Sequence, residues 1–172
     1  MESPKLAELK KELNFQESHE LKELCLRLAK YKTENKELLH YLLFYQDKKE
    51  AYVMQVKELI MNEFDDLHPS IYYVGKQLRK LTRIMNKHIK YISEKHLEVE
   101  IALAFCESFI QHPIVKSNYR AIDLILFRQL KRINKLLPKL QEDLQFDYQQ
   151  DFDAVLKELK LKRPSFHIHE IS

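Results

Sequence analysis

Residues 68–91 read HPSIYYVGKQLRKLTRIMNKHIKY, and the period of this stretch decides how the rest of the chain is read. At about 100° per residue, Ile71, Val74, Leu78, Leu81, Met85, His88 and Ile92 fall on one stripe, spaced alternately by three and four. Lys76, Arg79, Lys80, Arg83, Lys87 and Lys90 fall on the opposite side, with Tyr72 among them. No acidic residue stands between Asp66 and Glu94. An amphipathic helix is predicted, with one face on a core and six positive charges on the other over about four turns. Its one irregularity is Gly75, which costs about 1 kcal/mol against alanine inside a helix. A close helix–helix contact would account for it, and so would a later start of the helix.

Helices are predicted on both sides of this stretch. Ser3 and Pro4 open a short one to about residue 13, serine as cap and proline in the first turn. Ser18 is expected to cap a second helix over about 19–32, and Thr33 a third over about 34–46. Asp47 and Glu50 have the spacing of a capping box for a fourth that runs through Phe64. His68-Pro69-Ser70 is a break before the basic helix. Ser93 is expected to cap a sixth helix, about 94–111, apolar on nearly every side at its centre, and such a helix is buried by several neighbours. His112-Pro113 ends it. A seventh helix, about 118–137, begins apolar and develops a second basic face from Arg128, Lys131, Arg132, Lys135 and Lys139, with Pro138 ending or kinking it. A last helix or pair runs to about residue 162 with acids at Glu142, Asp143, Asp147, Asp151 and Asp153, and residues 164–172 read as a flexible tail.

Composition agrees with an all-α chain. Of 172 residues, 45% are hydrophobic, enough for a core, while a single glycine leaves no tight hairpin turns to join strands. One all-helical domain over residues 1–163 is expected, of seven to eight helices. The preferred architecture is an α-α superhelix of the HEAT or armadillo kind, because two consecutive helices read as internal with amphipathic ones on both sides. A compact up-and-down bundle is the alternative. In composition and helix pattern the chain resembles uncharacterised small all-helical bacterial proteins. No motif carries that likeness, so it implies a fold and no function.

Charge is distributed unevenly. Residues 67–139 hold 14 basic and 5 acidic side chains, whereas residues 1–66 hold 11 and 14, and residues 140–172 hold 4 and 7. A positive field is thus expected from the middle of the chain, suited to an anionic partner. Cys25 and Cys106 sit in apolar runs and read as buried, reduced thiols. The first residues lack an apolar signal core, and the longest apolar run, Ile101 to Ile110, is interrupted by Glu107. A cytoplasmic protein with no membrane span is expected.

The candidate partner-binding residues are Lys76, Arg79, Lys80, Arg83, Lys87 and Lys90 of the first basic face and Arg128, Lys131, Arg132 and Lys135 of the second. Cations at this spacing can follow a polyanion, with Tyr72 or Tyr119 near enough to stack on a base. The plainer reading is a solvated face balanced by acids on neighbouring helices, such as Asp65, Asp66 or the run 142–153. Convergence of the two faces on one concave surface would favour the groove. A non-enzymatic binding domain is therefore expected, for nucleic acid backbone or else for an acidic protein, with no cofactor.

Two chemistries remain as remote alternatives. Arg83-Ile84-Met85-Asn86-Lys87-His88 resembles the Arg-x4-His motif of the HEPN ribonucleases, which implies a dimer that cleaves RNA with Arg83 and His88 at the scissile phosphate. Ile84 departs from the family, which usually has a polar residue after the arginine. Glu37 with His40, and Asp65 with His68, have the (i, i+3) spacing of carboxylate-bridged di-iron bundles, which need further carboxylates from other helices. His167, His169 and Glu170 could take a metal from solution. No glycine-rich phosphate loop or nucleophile elbow is present.

Overall fold

A computed structural model of the chain describes residues 4–166. Among these there are eight α-helices and no strand: α1 (Leu6–Leu13), α2 (Ser18–Tyr31), α3 (Thr33–Phe44), α4 (Lys49–Asp65), α5 (Ile71–Ile92), α6 (Lys95–Gln111), α7 (Arg120–Leu136) and α8 (Glu142–Lys162). Short 3-10 turns cover Pro113–Lys116 and Leu137–Lys139. The chain is all-helical as expected, and residues 142–162 form one helix rather than a pair. No helix among the described residues is long and apolar enough to cross a membrane. Contacts gather into two compact units, residues 1–47 and 48–172.

In the first unit α2 and α3 form an antiparallel hairpin whose single linking residue, Lys32, is extended at φ −143° and ψ 143°. Asn35 Nδ2 donates to the Leu28 carbonyl oxygen at 2.8 Å, tying the two helices across the turn. No residue of α1 or α2 is buried, and Leu6, Phe15, Leu28, Tyr31, Leu43 and Phe44 all lie exposed.

The second unit is organised by α6. Leu97, Val99, Ile101, Ala102, Leu103, Ala104, Phe105, Cys106, Phe109 and Ile110 are all buried, so most of the helix surface is covered, with Glu107 and Gln111 on the side left exposed. Its neighbours are α4, α5, α7 and α8. Each helix meets the next but one: α4 meets α6, α5 meets α7, and α6 meets α8. This pattern is compatible with a two-layered α-α superhelix, with α4, α6 and α8 in one layer and α5 and α7 side by side in the other. Phe64 of α4 stacks edge-on to Phe105 at 5.2 Å and to Phe109 at 6.2 Å, joining two helices of the first layer.

Helix starts differ from the sequence reading by about a residue, for a local reason. Had Ser18 been the cap, Leu21 would stand three residues on, where it cannot accept a hydrogen bond. Glu17 is the cap instead, and its N–H donates to the Glu20 carboxylate at 2.8 Å. Lys5 likewise precedes α1 with Glu8 as its acceptor at 3.3 Å, so Pro4 lies before the first turn; Ser3 falls outside the described residues. Thr33 is the first residue of α3, and Lys48 rather than Asp47 precedes α4. Ser93 does not cap α6. It ends α5 in the left-handed conformation, φ 56°, with its N–H on the Ile89 carbonyl, and so turns the chain towards Glu94, the cap of α6.

Arg163 closes the unit at the end of α8. It is 8% exposed, and its two terminal nitrogens donate to the two carboxylate oxygens of Asp123 at 2.5 and 2.7 Å. The pair binds the end of α8 to the first turn of α7. Phe166 lies 5.4 Å from the guanidinium. The remainder of the expected tail, residues 167–172, is outside the described residues.

Candidate functional site

The apolar stripes of α5 and α7 set the orientation of their basic faces. In α5 the buried residues are Val74, Gly75, Leu78, Leu81, Met85, Ile89 and Ile92. Ile89 therefore occupies the place the period alone gave to His88, and Ile71 at the helix start is exposed. Positions 88 and 89 stand at similar angles from Met85, and the apolar side chain is the one that enters the core. His88 is half-buried, with Nδ1 2.6 Å from the Tyr52 hydroxyl of α4. In α7 the buried residues are Ile122, Ile125, Leu126, Gln129, Leu130 and Ile133.

With those stripes turned inwards, Lys76, Arg79, Thr82 and Arg83 of α5 face Ile125, Arg128 and Gln129 of α7 across one groove of about 340 Å³. Four of its lining residues are cations and none is an acid. Thr82, Arg128 and Gln129 continue into a second hollow lined also by Asn86, Lys90, Lys95 and Arg132, where Glu94 and Glu98 add negative charge. On the other flank of α5, Lys76, Lys80 and Arg83 line a shallow hollow with His68, Tyr73 and Gln77. Of the second basic face, Arg128 joins Arg79 and Arg83 of the first in that groove.

The ten candidate residues do not share one fate. Among the described residues Lys76, Arg79, Lys80, Arg83, Lys90 and Arg128 make no ion pair. Lys87, Lys131 and Lys135 do not line the groove, and Lys131 instead lies 5.8 Å from the Phe127 ring. Arg132 is already engaged. Its Nε donates to Glu98 of α6 at 2.6 Å and its Nη1 to Asn86 Oδ1 of α5 at 2.6 Å. It stitches three helices together with the charge that the sequence assigned to a partner.

The acids proposed as a counterweight lie in the other layer. Asp151 and Glu158 of α8 act on Glu107 of α6, whose carboxyl is held above the usual carboxylate range first by burial, against the pull of Lys57. Tyr148 of α8 lies 3.5 Å from Glu100, and its phenol is pushed up to about 12 by burial and then by that carboxylate. Lys57 pairs with Glu100 at 2.9 Å and Lys49 with Glu94 at 2.7 Å. Acidic pairing is thus concentrated where α4, α6 and α8 meet, and the α5–α7 groove is left positive.

Two groove residues were missed by a search for charges. Thr82 Oγ1 donates to the Leu78 carbonyl at 2.8 Å, which leaves its lone pairs available. Gln129 is 4% exposed, and its buried Oε1 has no hydrogen-bond partner. The signal for Gln129 was in the chain, as an amide set into the apolar stripe between Leu126 and Leu130.

Among the described residues, the side chains named for the catalytic alternatives lie apart. Five residues apart on a helix is a rotation of about 140°, so Arg83 lines the basic hollows while His88 turns to Tyr52. His40 packs its ring on Phe44 and Tyr45, and His68 Nδ1 accepts from the Ser70 N–H. Among the described residues no three His, Cys, Asp or Glu side chains gather to hold a metal. His167, His169 and Glu170 lie outside the described residues. Comparison of the chain with protein-family models, with curated proteins and with solved structures found no match.

Proposed function

We propose that the α5–α7 groove binds the phosphate backbone of a nucleic acid, without chemistry on it. The observation that carries this reading is the convergence of Lys76, Arg79, Arg83 and Arg128 on one groove with no carboxylate in its lining. Arginine is suited to the task, because its planar fork matches a phosphate in two hydrogen bonds. Binding would proceed by charge neutralisation and counterion release, with little readout of base edges. Exposed Tyr72 and Tyr73, at the start of α5, and Tyr119, beside Gly75, offer rings for stacking. This reading places the protein in the cytoplasm with free thiols at Cys25 and Cys106.

The test is fluorescence anisotropy with labelled single-stranded and duplex oligonucleotides at two salt concentrations. The control is a variant with Arg79, Arg83 and Arg128 changed to Glu. Arg132 is left alone, since a carboxylate there would oppose Glu98 and threaten the fold. Four groove cations predict a slope of log K against log salt of about −3 for single strands. Absence of binding at low salt removes the reading.

A second reading has its own observation. The exposed apolar residues of residues 1–47, among them Leu6, Phe15, Leu28, Tyr31, Leu43 and Phe44, suit a protein partner better than a nucleic acid. On this reading the chain is a protein-interaction scaffold, and the basic groove takes an acidic segment of the partner. A poly-glutamate competitor that binds where oligonucleotides do not would favour it.

A further inference from the structure

We infer that the nucleic acid is RNA, and that Gln129 recognises the ribose 2′-hydroxyl beside a phosphate held by Arg79, Arg83 and Arg128. This rests on the nucleic-acid reading of the same groove.

The argument begins with an amide out of place. Gln129 occupies a core position of α7, is 4% exposed, and holds a buried oxygen without a partner, at a point that lines both the narrow basic groove and the wider hollow beside it. A buried polar atom left unpaired is destabilising, and leucine or methionine would fill the same space without that cost. An amide carries two N–H donors at one end and an acceptor at the other. Turned with its oxygen towards the groove, the amide accepts from a hydroxyl that a ligand brings there.

The surrounding side chains narrow the ligand. Lys76, Arg79, Arg83 and Arg128 donate and cannot accept, so they require anionic oxygens. The backbone of DNA supplies such oxygens and nothing else, because its phosphodiesters and deoxyriboses hold no hydrogen-bond donor. The backbone of RNA adds one donor per nucleotide, the 2′-hydroxyl, which is also an acceptor. Thr82, whose own proton is given to the Leu78 carbonyl, faces the same groove as a further acceptor. A groove with cationic donors and neutral acceptors side by side matches a ribose phosphate and leaves a deoxyribose phosphate one bond short.

Binding is measured by anisotropy on the whole protein with a labelled oligouridine of about twelve nucleotides, its deoxyuridine counterpart and its 2′-O-methyl counterpart. The base is the same in the oligouridine and the deoxyuridine strand, so their difference reports the sugar. The methyl ether keeps the sugar pucker and the acceptor oxygen, removes the donor and adds a methyl group. The expected result is oligouridine bound about tenfold tighter than either of the others. In Q129M, which keeps the volume and loses both ends of the amide, the three should bind alike at the weaker level. Equal binding of all three to the native protein overturns the inference and leaves the groove reading standing. A 2′-O-methyl strand bound as tightly as RNA overturns it in favour of recognition by shape. Binding of none of the three, or of poly-glutamate alone, overturns the inference and the groove reading together.

Discussion

Arg132 of α7 and Glu98 of α6 meet at 2.6 Å, with both side chains about a quarter exposed, and the same guanidinium reaches Asn86 of α5. Arg128, one turn earlier, is exposed and points into the groove without an ion pair. Two arginines of one basic face thus have separate duties. Arg132→Ala leaves a half-buried carboxylate without its partner and should cost about 1–3 kcal/mol. Arg128→Ala should change stability by less than about 0.5 kcal/mol. Equilibrium urea unfolding of both variants checks this, and equal losses would dismiss the division.

Gly75 lies buried in the second turn of α5, where α7 crosses it. A Cβ added there would meet Ile122 Cγ1 at 3.8 Å, Arg79 Nη1 at 3.9 Å and Tyr119 Cε1 at 3.9 Å, all ordinary van der Waals distances. The backbone is helical, so no left-handed conformation calls for glycine. The helix crossing therefore explains where the glycine sits without requiring it. Gly75→Ala should stabilise the protein by about 0.5–1 kcal/mol through helix propensity. A thermal melt should rise by roughly 1–4 °C. A lower melting temperature would show that the crossing tolerates no added methyl.

What was legible in the chain divides along the range of the interactions. The all-round apolar character of α6 is a local property of residues 95–111, and it correctly marked the central helix. The basic faces of α5 and α7 were equally local. The meeting of Arg128 with Arg79 and Arg83 was not, because it depends on both helices turning apolar stripes towards the same layer. The ion pair of Arg132 was hidden for a similar reason: Glu98 stands 34 residues away, and spacing along one helix cannot show a partner on another. His88 was misplaced because the period resolves an angle only coarsely, and the hydroxyl of Tyr52, 36 residues distant, decided where the ring would go. Gln129 was legible and was passed over, since attention to charge hides a neutral amide in an apolar stripe.

The raised carboxyl of Glu107 makes a prediction with a definite sign. Partial burial is its first cause, opposed by Lys57 and reinforced by Asp151 and Glu158, and solvent screens the effect because the side chain stays exposed. A group whose folded pKa lies above its unfolded value favours folding while protonated. That contribution is full below the unfolded pKa and is lost as pH rises through the folded one. Once ionised, the carboxylate is less favourable in the native protein than in the unfolded chain, and Glu107→Gln removes that difference. The variant should be slightly the more stable at pH 7, by a margin that solvent screening of the exposed side chain keeps small, and its advantage should shrink towards zero as pH falls through the carboxylate range. Urea midpoints at pH 7 and at about pH 4 measure the difference. An advantage that grows on acidification would contradict the sign, and would mean that attraction to Lys57 outweighs burial.

Both cysteines were expected inside, and only one is. Cys25 lies exposed on α2, whose apolar run with Leu24 and Leu26 meets no core within residues 1–47. Cys106 is fully buried at the centre of α6, and its thiol is pushed far above the ordinary range by burial and then by the neighbouring Glu107. Nucleophilic attack needs both a thiolate and access. A chromogenic disulfide reagent should therefore modify one thiol per chain promptly in native buffer, and Cys25→Ser should abolish that reaction. Cys106 should react only as residues 48–172 open, at a rate set by the unfolding of the helix that four others cover. Its protection then becomes a clean reporter for the other variants: Gly75→Ala should lengthen it and Arg132→Ala should shorten it. Prompt modification of two thiols in the native protein would show that α6 is not the enclosed centre of the second unit.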